Sequence, residues 1–341
     1  MRKSIEDVAA LAGVSITTVS RVINNSPHKV SAATREKVLA AVKELNFQPD
    51  ISAQSLRQST ANVIALISRD LTDAYYGEMA KGVSEAALQQ NILSFICNTG
   101  RSPQKELEYH TLFAQYKVRG LILSGGGFND AKYQEIIQQE IAQYTNRGQA
   151  IVALAPQGPN VDPLINSIMI DNIRTGELIT EYLIERGHHR ILFIGGPKNN
   201  FTTHARLQGY KNALKKHNIP FDKSISYHSE SFWQDGYSIT KDAIQQKKDF
   251  TAICCINDNI AISAIGACTE SGLSVPNDVS IIGIGGLPNA LYTVPTLTTA
   301  KIPLYEIGIK AVDVLLNASP NEIQHIIMNT TIQEGNSVKS I

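Results

Sequence analysis

The chain opens on a stretch, residues 4–28, whose apolar positions recur at helical spacing. Ile5, Val8, Ala9 and Leu11 fall together and predict one apolar stripe. Ser4 stands before them as a cap, and Asp7, three residues on, faces the exposed N–H groups. Gly13 interrupts the pattern where a tight turn is needed, and Ser15 can cap a second helix running from Ile16 to about Asn24. Val14, Val19 and Val22 would pack that helix onto the first, leaving Ile16, Thr17, Thr18, Ser20 and Arg21 facing outward. Helix, glycine turn, then a helix with outward small polar groups and one arginine is the DNA-reading helix-turn-helix arrangement. An ordinary helical hairpin would share the periodicity.

Ser31 can cap a third helix, AATREKVLAAVKEL, whose Val38, Leu39, Val42 and Leu45 would complete a three-helix core before Pro49 stops it. The next segment, DISAQSLRQST, is too poor in apolar residues to bury a face alone and reads as a linker that orders against a partner. After Ala61 the texture changes. NVIALIS, ILSFICN, GLILSGG, AIVALA, SIMID, RILFIGG, TAICCIN and SIIGIGG are short apolar runs of buried-strand character. Amphipathic segments of helical length separate most of them, among them YYGEMAKGVSEAALQQ and HARLQGYKNALKKH. That alternation calls for an α/β fold of parallel sheets with helices on both faces, and the length favours two lobes. Ligands of such sheets bind beyond the carboxyl ends of the strands, so the residues just after each strand carry the information.

Composition adds less. A chain of 341 residues with 43% apolar and 18% charged residues is globular, and its net charge is zero. The distribution matters more: up to Ala61 there are eight Lys/Arg against five Asp/Glu, so a basic head precedes an acidic body. Such a chain can grip phosphates with one end. The start, MRKSIEDV, lacks the apolar core of a signal peptide, and no apolar run is long enough to span a bilayer, so a cytoplasmic location is expected. Cys97, Cys254, Cys255 and Cys268 have neither metal-ligand nor disulfide-framework spacing. No metal and no cofactor are expected.

The motifs, taken in order, resemble those of the LacI/GalR family of bacterial transcriptional regulators along essentially the whole chain. IEDVAALAGVSITTVSRVINN is similar to the family's helix-turn-helix, VSAATREKVLAAVKELNFQPD to its third helix, and SAQSLR to its hinge segment. IDNIRTGELITEYLIERGHHRILFIGGP, ARLQGYKNAL, INDNIAISAIGACTESGLSVPNDVSIIGIGGLP and VPTLTTAKIPLYEIG resemble the body. The resemblance implies a helix-turn-helix headpiece over residues 1–49, a hinge helix over 50–61, and a two-lobed periplasmic-binding-protein-like core over 62–341 that dimerises.

It also implies roles. Ile16 and Thr17 stand where the family selects operator bases, and Arg21 has bidentate reach to guanine. Thr18, Ser20, Asn24, Ser31 and Thr34 stand where it contacts phosphates, with His28 in a loop slightly longer than the family's. Ala53, Leu56 and Arg57 match its minor-groove element, where paired leucines wedge a base step. For the effector, Tyr75 and Tyr76 match ligand-stacking positions, Arg206 an arginine that clamps ligand oxygens, and Asp258 a carboxylate that accepts hydroxyls or a ring N–H. Phe232 and Trp233 lie where the family carries one aromatic platform, and Asn98, Ser124 and Asp171 are further strand-end candidates.

Two departures bear on the ligand: GIGGLP, with Gly285 and Gly286, replaces an aspartate pair, and PQGPN lacks the carboxylate or tryptophan of some members. The expected function is a repressor of a carbohydrate operon, switched by a sugar or sugar phosphate. Its partners would be a second copy and near-palindromic double-stranded operator DNA, with no membrane. Purine-responsive repression with a corepressor is the alternative, as is a soluble sugar-binding protein without DNA function. An enzyme is not expected, because the glycine clusters lack dinucleotide, Walker and nucleophile-elbow spacing. His188 and His189 read as a surface turn. The tail after Glu334 has no leucine heptads, so a coiled-coil tetramer is not expected.

Overall fold

Capping side chains start each of the first three helices. The computed structural model describes residues 3–23, 28, 30–47, 62–127, 130–230, 234–319 and 322–341, which belong to two units, Met1–Ala61 and Asn62–Ile341. In the first unit α1 spans Ile5–Ala12, α2 Ile16–Ile23 and α3 Ala32–Glu44. The Asp7 N–H donates to Ser4 Oγ at 3.3 Å and the Ser4 N–H donates back to Asp7 Oδ2 at 2.8 Å, completing the expected capping box. Gly13 takes φ +63°, a conformation that lets the chain turn into α2 without Cβ strain. Ser15 and Ser31 accept the N–H groups of Thr18 and Thr34, each at 3.2 Å. Val8, Ala9, Val19, Val22, Val38 and Ala41 form the core of this unit.

Leu11 and Leu39 depart from the expected core, being 47% and 50% exposed. The reason is register. The buried stripes run through positions 5, 8, 9 and 12 of α1 and 38, 41, 42 and 45 at α3, and each leucine sits one residue off its stripe.

The second unit contains strands β1 (Val63–Ser68), β2 (Leu93–Asn98), β3 (Gly120–Leu123), β4 (Ala150–Ala153), β5 (Asn166–Ile170) and β6 (Ile191–Gly195). They are followed by β7 (Ser226–His228), β8 (Ala252–Cys255), β9 (Ser280–Gly285), β10 (Thr298–Lys301), β11 (His325–Met328) and β12 (Thr331–Gln333). Its helices are α4 (Ala74–Gln89), α5 (Pro103–Tyr116), α6 (Ala131–Asn146), α7 (Asn172–Ile184), α8 (Phe201–Lys216), α9 (Gln234–Gln245), α10 (Asp258–Glu270) and α11 (Leu304–Asn317).

Two six-stranded sheets result, ordered β11-β5-β4-β3-β1-β2 and β12-β10-β9-β8-β6-β7. All pairings are parallel except the antiparallel edge strand β12, a small departure from the expected all-parallel sheets. The chain finishes most of the first lobe, builds the second, returns with α11 and β11, and ends in the second with β12. His188 is buried rather than at a surface turn. Its ring nitrogens lie 2.9 Å from Thr251 Oγ1 and 3.1 Å from the Lys339 carbonyl, tying the chain's tail to the second lobe, while His189 stays exposed.

Helix α4 matters for the site, because its first turn carries Tyr75 and Tyr76. It is set by close packing against α11 at Gly82 and Gly308. A Cβ on Gly82 would overlap the Tyr305 carbonyl oxygen, and one on Gly308 the Met79 carbonyl oxygen. Helix propensity alone would favour alanine there by about 1 kcal/mol. An overlap with backbone cannot be relieved by rotating a side chain, and overpacking costs about 1–3 kcal/mol or more. Gly308→Ala should therefore lower the melting temperature by several degrees; an unchanged or raised value would show that the helices separate freely.

Candidate functional site

On the first unit, the buried face of α2 is Val19 and Val22, which leaves Ile16, Thr17 and Arg21 exposed. Ile16 is 41% exposed, an apolar side chain presented to solvent beside a hydroxyl and a guanidinium. Thr18 and Ser20 are half-buried at the flanks of this face. The Thr18 and Ser15 hydroxyls lie 2.9 Å apart, and those of Ser31 and Thr34 2.8 Å apart, so both pairs also hold helix starts. His28 is exposed. Asn24, Ala53, Leu56, Arg57 and the 50–61 linker lie outside the described residues, as do Phe232 and Trp233.

In the second unit, a cavity of about 680 Å³, counted out to its solvent opening, lies at the carboxyl ends of both sheets. Of the residues expected to bind effector, Tyr75, Tyr76 and Ser124 line it from the first lobe and Arg206 from the second. The two tyrosine rings meet edge to face, 5.2 Å apart at 78°. Burial pushes the Tyr75 hydroxyl up to about 12, with the Arg206 charge opposing the rise. The lobes also touch directly, where Asn259 Nδ2 donates to Asp73 Oδ1 at 3.1 Å.

Arg206 is buried, and burial disfavours its charge, which Tyr75 and Asp258 support. Its Nε donates to Asn172 Oδ1 at 2.9 Å and its Nη1 to the Ile256 carbonyl at 2.6 Å. Asp258 is fully buried behind the wall instead of lining it. Its Oδ2 accepts the Leu287 N–H at 2.9 Å and its Oδ1 the Thr299 hydroxyl at 2.5 Å, so both oxygens are taken by the protein. The glycines of GIGGLP make this possible. A Cβ on Gly283 would overlap Asp258 Oδ1, and one on Gly285 would come within 2.8 Å of Oδ2.

Two other candidates are drawn elsewhere. Asp171 is exposed and caps α7, accepting the Arg174 N–H at 2.9 Å. Asn98 accepts the N–H groups of Leu71 and Gly100, shaping the loop before Arg101 without reaching the cavity wall. Conversely, Arg69, Asp73, Arg101, Asn200, Asn257 and Asn259 line the cavity without having been singled out from the sequence. All lie in the polar stretch just after a strand or in the first turn of the following helix. That position was the available signal.

Residues 4–50 match the family model described as bacterial regulatory proteins, lacI family, and residues 180–338 match a periplasmic binding protein-like domain. The HTH-type transcriptional regulator DegA of Bacillus subtilis is 33% identical over 308 residues, 90% of this chain and 89% of DegA. The HTH-type transcriptional repressor PurR of Vibrio atlanticus is 30% identical, covering 99% of both chains. The chain belongs to the lacI family of bacterial regulatory proteins. It is a DNA-binding transcriptional regulator rather than an enzyme. The fold agrees: the lac repressor dimer bound to operator and the anti-inducer ONPF is similar with a TM-score of 0.86 and 27% identity, each chain covered fully. Among the described residues, no helix is long and apolar enough to cross a membrane.

Asp258 makes a measurable signature. Burial raises its pKa from 3.8 to about 6, against the lowering effect of the Leu287 N–H, the Thr299 hydroxyl, the Gly286 N–H and Arg206. The unfolded chain then gives up this proton first, so ionisation between about pH 4 and pH 6 favours unfolding. Chemical denaturation of the native chain and Asp258→Asn across pH should show the native chain losing about 3 kcal/mol relative to the variant over that window. Above about pH 7 the difference should be level. A difference independent of pH would contradict the burial of this carboxylate.

Proposed function

We propose that the protein is a cytoplasmic, dimeric repressor. Its grip on a near-palindromic operator is switched by a hydroxyl-rich small molecule, a sugar or sugar phosphate, in the cavity between lobes. One observation carries the switching: Tyr75 and Tyr76 from one lobe and Arg206 from the other face the same space. A ligand there contacts both lobes and so responds to the angle between them. In this reading residues 1–49 read DNA, 50–61 form the hinge, and 62–341 bind effector and a second copy.

The base-selecting residues are Ile16, Thr17 and Arg21. Ile16 meets a thymine methyl, Thr17 a base edge and Arg21 a guanine. Thr18, Ser20, Asn24, His28, Ser31 and Thr34 hold phosphates, and Ala53, Leu56 and Arg57 enter the minor groove. Repression is supported by the PurR relative, named a repressor, and operator binding and dimerisation by the lac repressor dimer on its operator. The surface also favours a dimer. Edge strand β2 exposes Leu93 and Phe95 beside Tyr116, and the second lobe exposes Leu291, Tyr292 and Val294, with Tyr292 at 83%. Two-fold pairing covers such patches.

The test is a binding comparison on duplexes selected from a randomised pool by the native chain. Exchanging Ile16 and Thr17 should cost about 10-fold or more on the selected operator, within the range of one or two base contacts. Affinity for random duplex, and its steep salt dependence, should be unchanged. Equal losses on both duplexes would remove these residues from sequence selection.

A further inference from the structure

Resting on the reading of the interlobe cavity as the effector site, we propose that the effector is an acid: a hydroxyl-rich molecule carrying a carboxylate or phosphate. The lining points there first by charge. The charged groups in the wall are three guanidiniums, Arg69, Arg101 and Arg206, and one carboxylate, Asp73. The remaining acids stand behind the arginines. Asp258 is buried beneath Arg206, and Glu106, buried with the Tyr133 hydroxyl donating to it at 2.8 Å, feels the Arg69 charge. Asp70 lies 3.3 Å from Arg101 Nε, outside the wall. Asp70 orients Arg101 by a hydrogen bond, while Asp258 and Glu106 support the charges of Arg206 and Arg69 electrostatically, leaving planar donors to meet an incoming anion.

The hydrogen-bond inventory points the same way. A neutral sugar presents hydroxyls that must each donate as well as accept, so its site needs acceptors in the wall. In the wall's one carboxylate and two of its amides, the acceptor oxygens are already engaged by the protein. Asp73 Oδ1 receives the Tyr75 N–H and Asn259 Nδ2, both at 3.1 Å, and its Oδ2 lies 3.5 Å from Arg101 Nη2. Asn200 Oδ1 accepts the Thr203 N–H at 3.1 Å and Asn257 Oδ1 the Ile260 N–H at 2.8 Å, so both side chains cap helices with their oxygens and keep their amide N–H groups as donors. The helices α4, α8 and α10 each bring their first turn to the same wall, adding three positive dipole ends. Charged donors outnumber the charged acceptor, while the wall's hydroxyls serve either role, and the matching ligand is rich in acceptors and negative.

The experiment is calorimetry and thermal shift on the full chain with glucose, glucuronate, glucose 6-phosphate and hypoxanthine as probes. At least one of the two acids should bind at least 10-fold more tightly than glucose, and which of them binds better separates carboxylate from phosphate. Arg101→Gln should abolish that preference, whereas Arg101→Lys, which keeps the charge, should retain most of it; melting without ligand reports whether each variant folds. Glucose binding as well as the acids, an acid preference untouched by Arg101→Gln, no acid-dependent shift at all, or hypoxanthine binding where the acids do not would each overturn the proposal. If binding of any probe survives both Arg206→Gln and Tyr75→Ala unchanged, the cavity itself is not the effector site. If those variants abolish binding of a neutral probe, the cavity stands and the anionic class fails.

Discussion

Burying the Arg206 guanidinium is the constraint on which the second lobe turns. A charge removed from water must be met by oriented partners, or it is lost to deprotonation or unfolding. Arg206 meets them in Asn172 at the start of α7, the Ile256 carbonyl after β8, and Asp258 at the start of α10. Asp258 needs partners in turn and finds them in Leu287 after β9 and Thr299 in β10. Five elements are thereby fixed around two buried, oppositely charged side chains that favour one another electrostatically. The glycine-rich turn at residues 283–286 exists to leave room for it. What reads in the sequence as a missing pair of acids is, in the fold, a space filled by an acid from another helix.

The first lobe meets this wall with residues carried on α4. Tyr75 and Tyr76 ride on the first turn of α4, whose depth is set by glycine contacts with α11, and Asp73 caps the same helix while reaching Asn259 across the gap. A change in the angle between lobes must break or remake the Asp73–Asn259 bond and the approach of Tyr75 to Arg206. In the proposed mechanism a ligand bridging the two walls selects one angle, and that angle sets whether the two headpieces of a dimer can engage their half-sites together.

Much of this was legible in the sequence where local physics dominates. Ser4, Asp7, Gly13, Ser15 and Ser31 announce their caps and turn because capping is a short-range interaction. Eight strands show as apolar runs because parallel strands are buried on both faces. Strands β7, β10, β11 and β12 do not show, being only three or four residues long and partly exposed or polar. Of the effector candidates that strand ends and family resemblance mark out, Tyr75, Tyr76, Ser124 and Arg206 line the cavity. Asp258 was assigned to the ligand although its oxygens serve the protein, because one sequence does not reveal which neighbour claims a carboxylate. Arg69 and Arg101 escaped notice since a charged residue in a polar loop looks the same whether it faces a cavity or solvent.

The central claim is that one molecule holds two coupled sites. Linkage makes this quantitative: whatever factor the effector changes operator affinity by, operator must change effector affinity by the same factor. Measuring effector affinity of the full chain with and without saturating operator duplex, and operator affinity with and without saturating effector, tests it directly. The account predicts equal factors, of about 5-fold or more for ordinary allosteric coupling. Two affinities that do not respond to one another would contradict it.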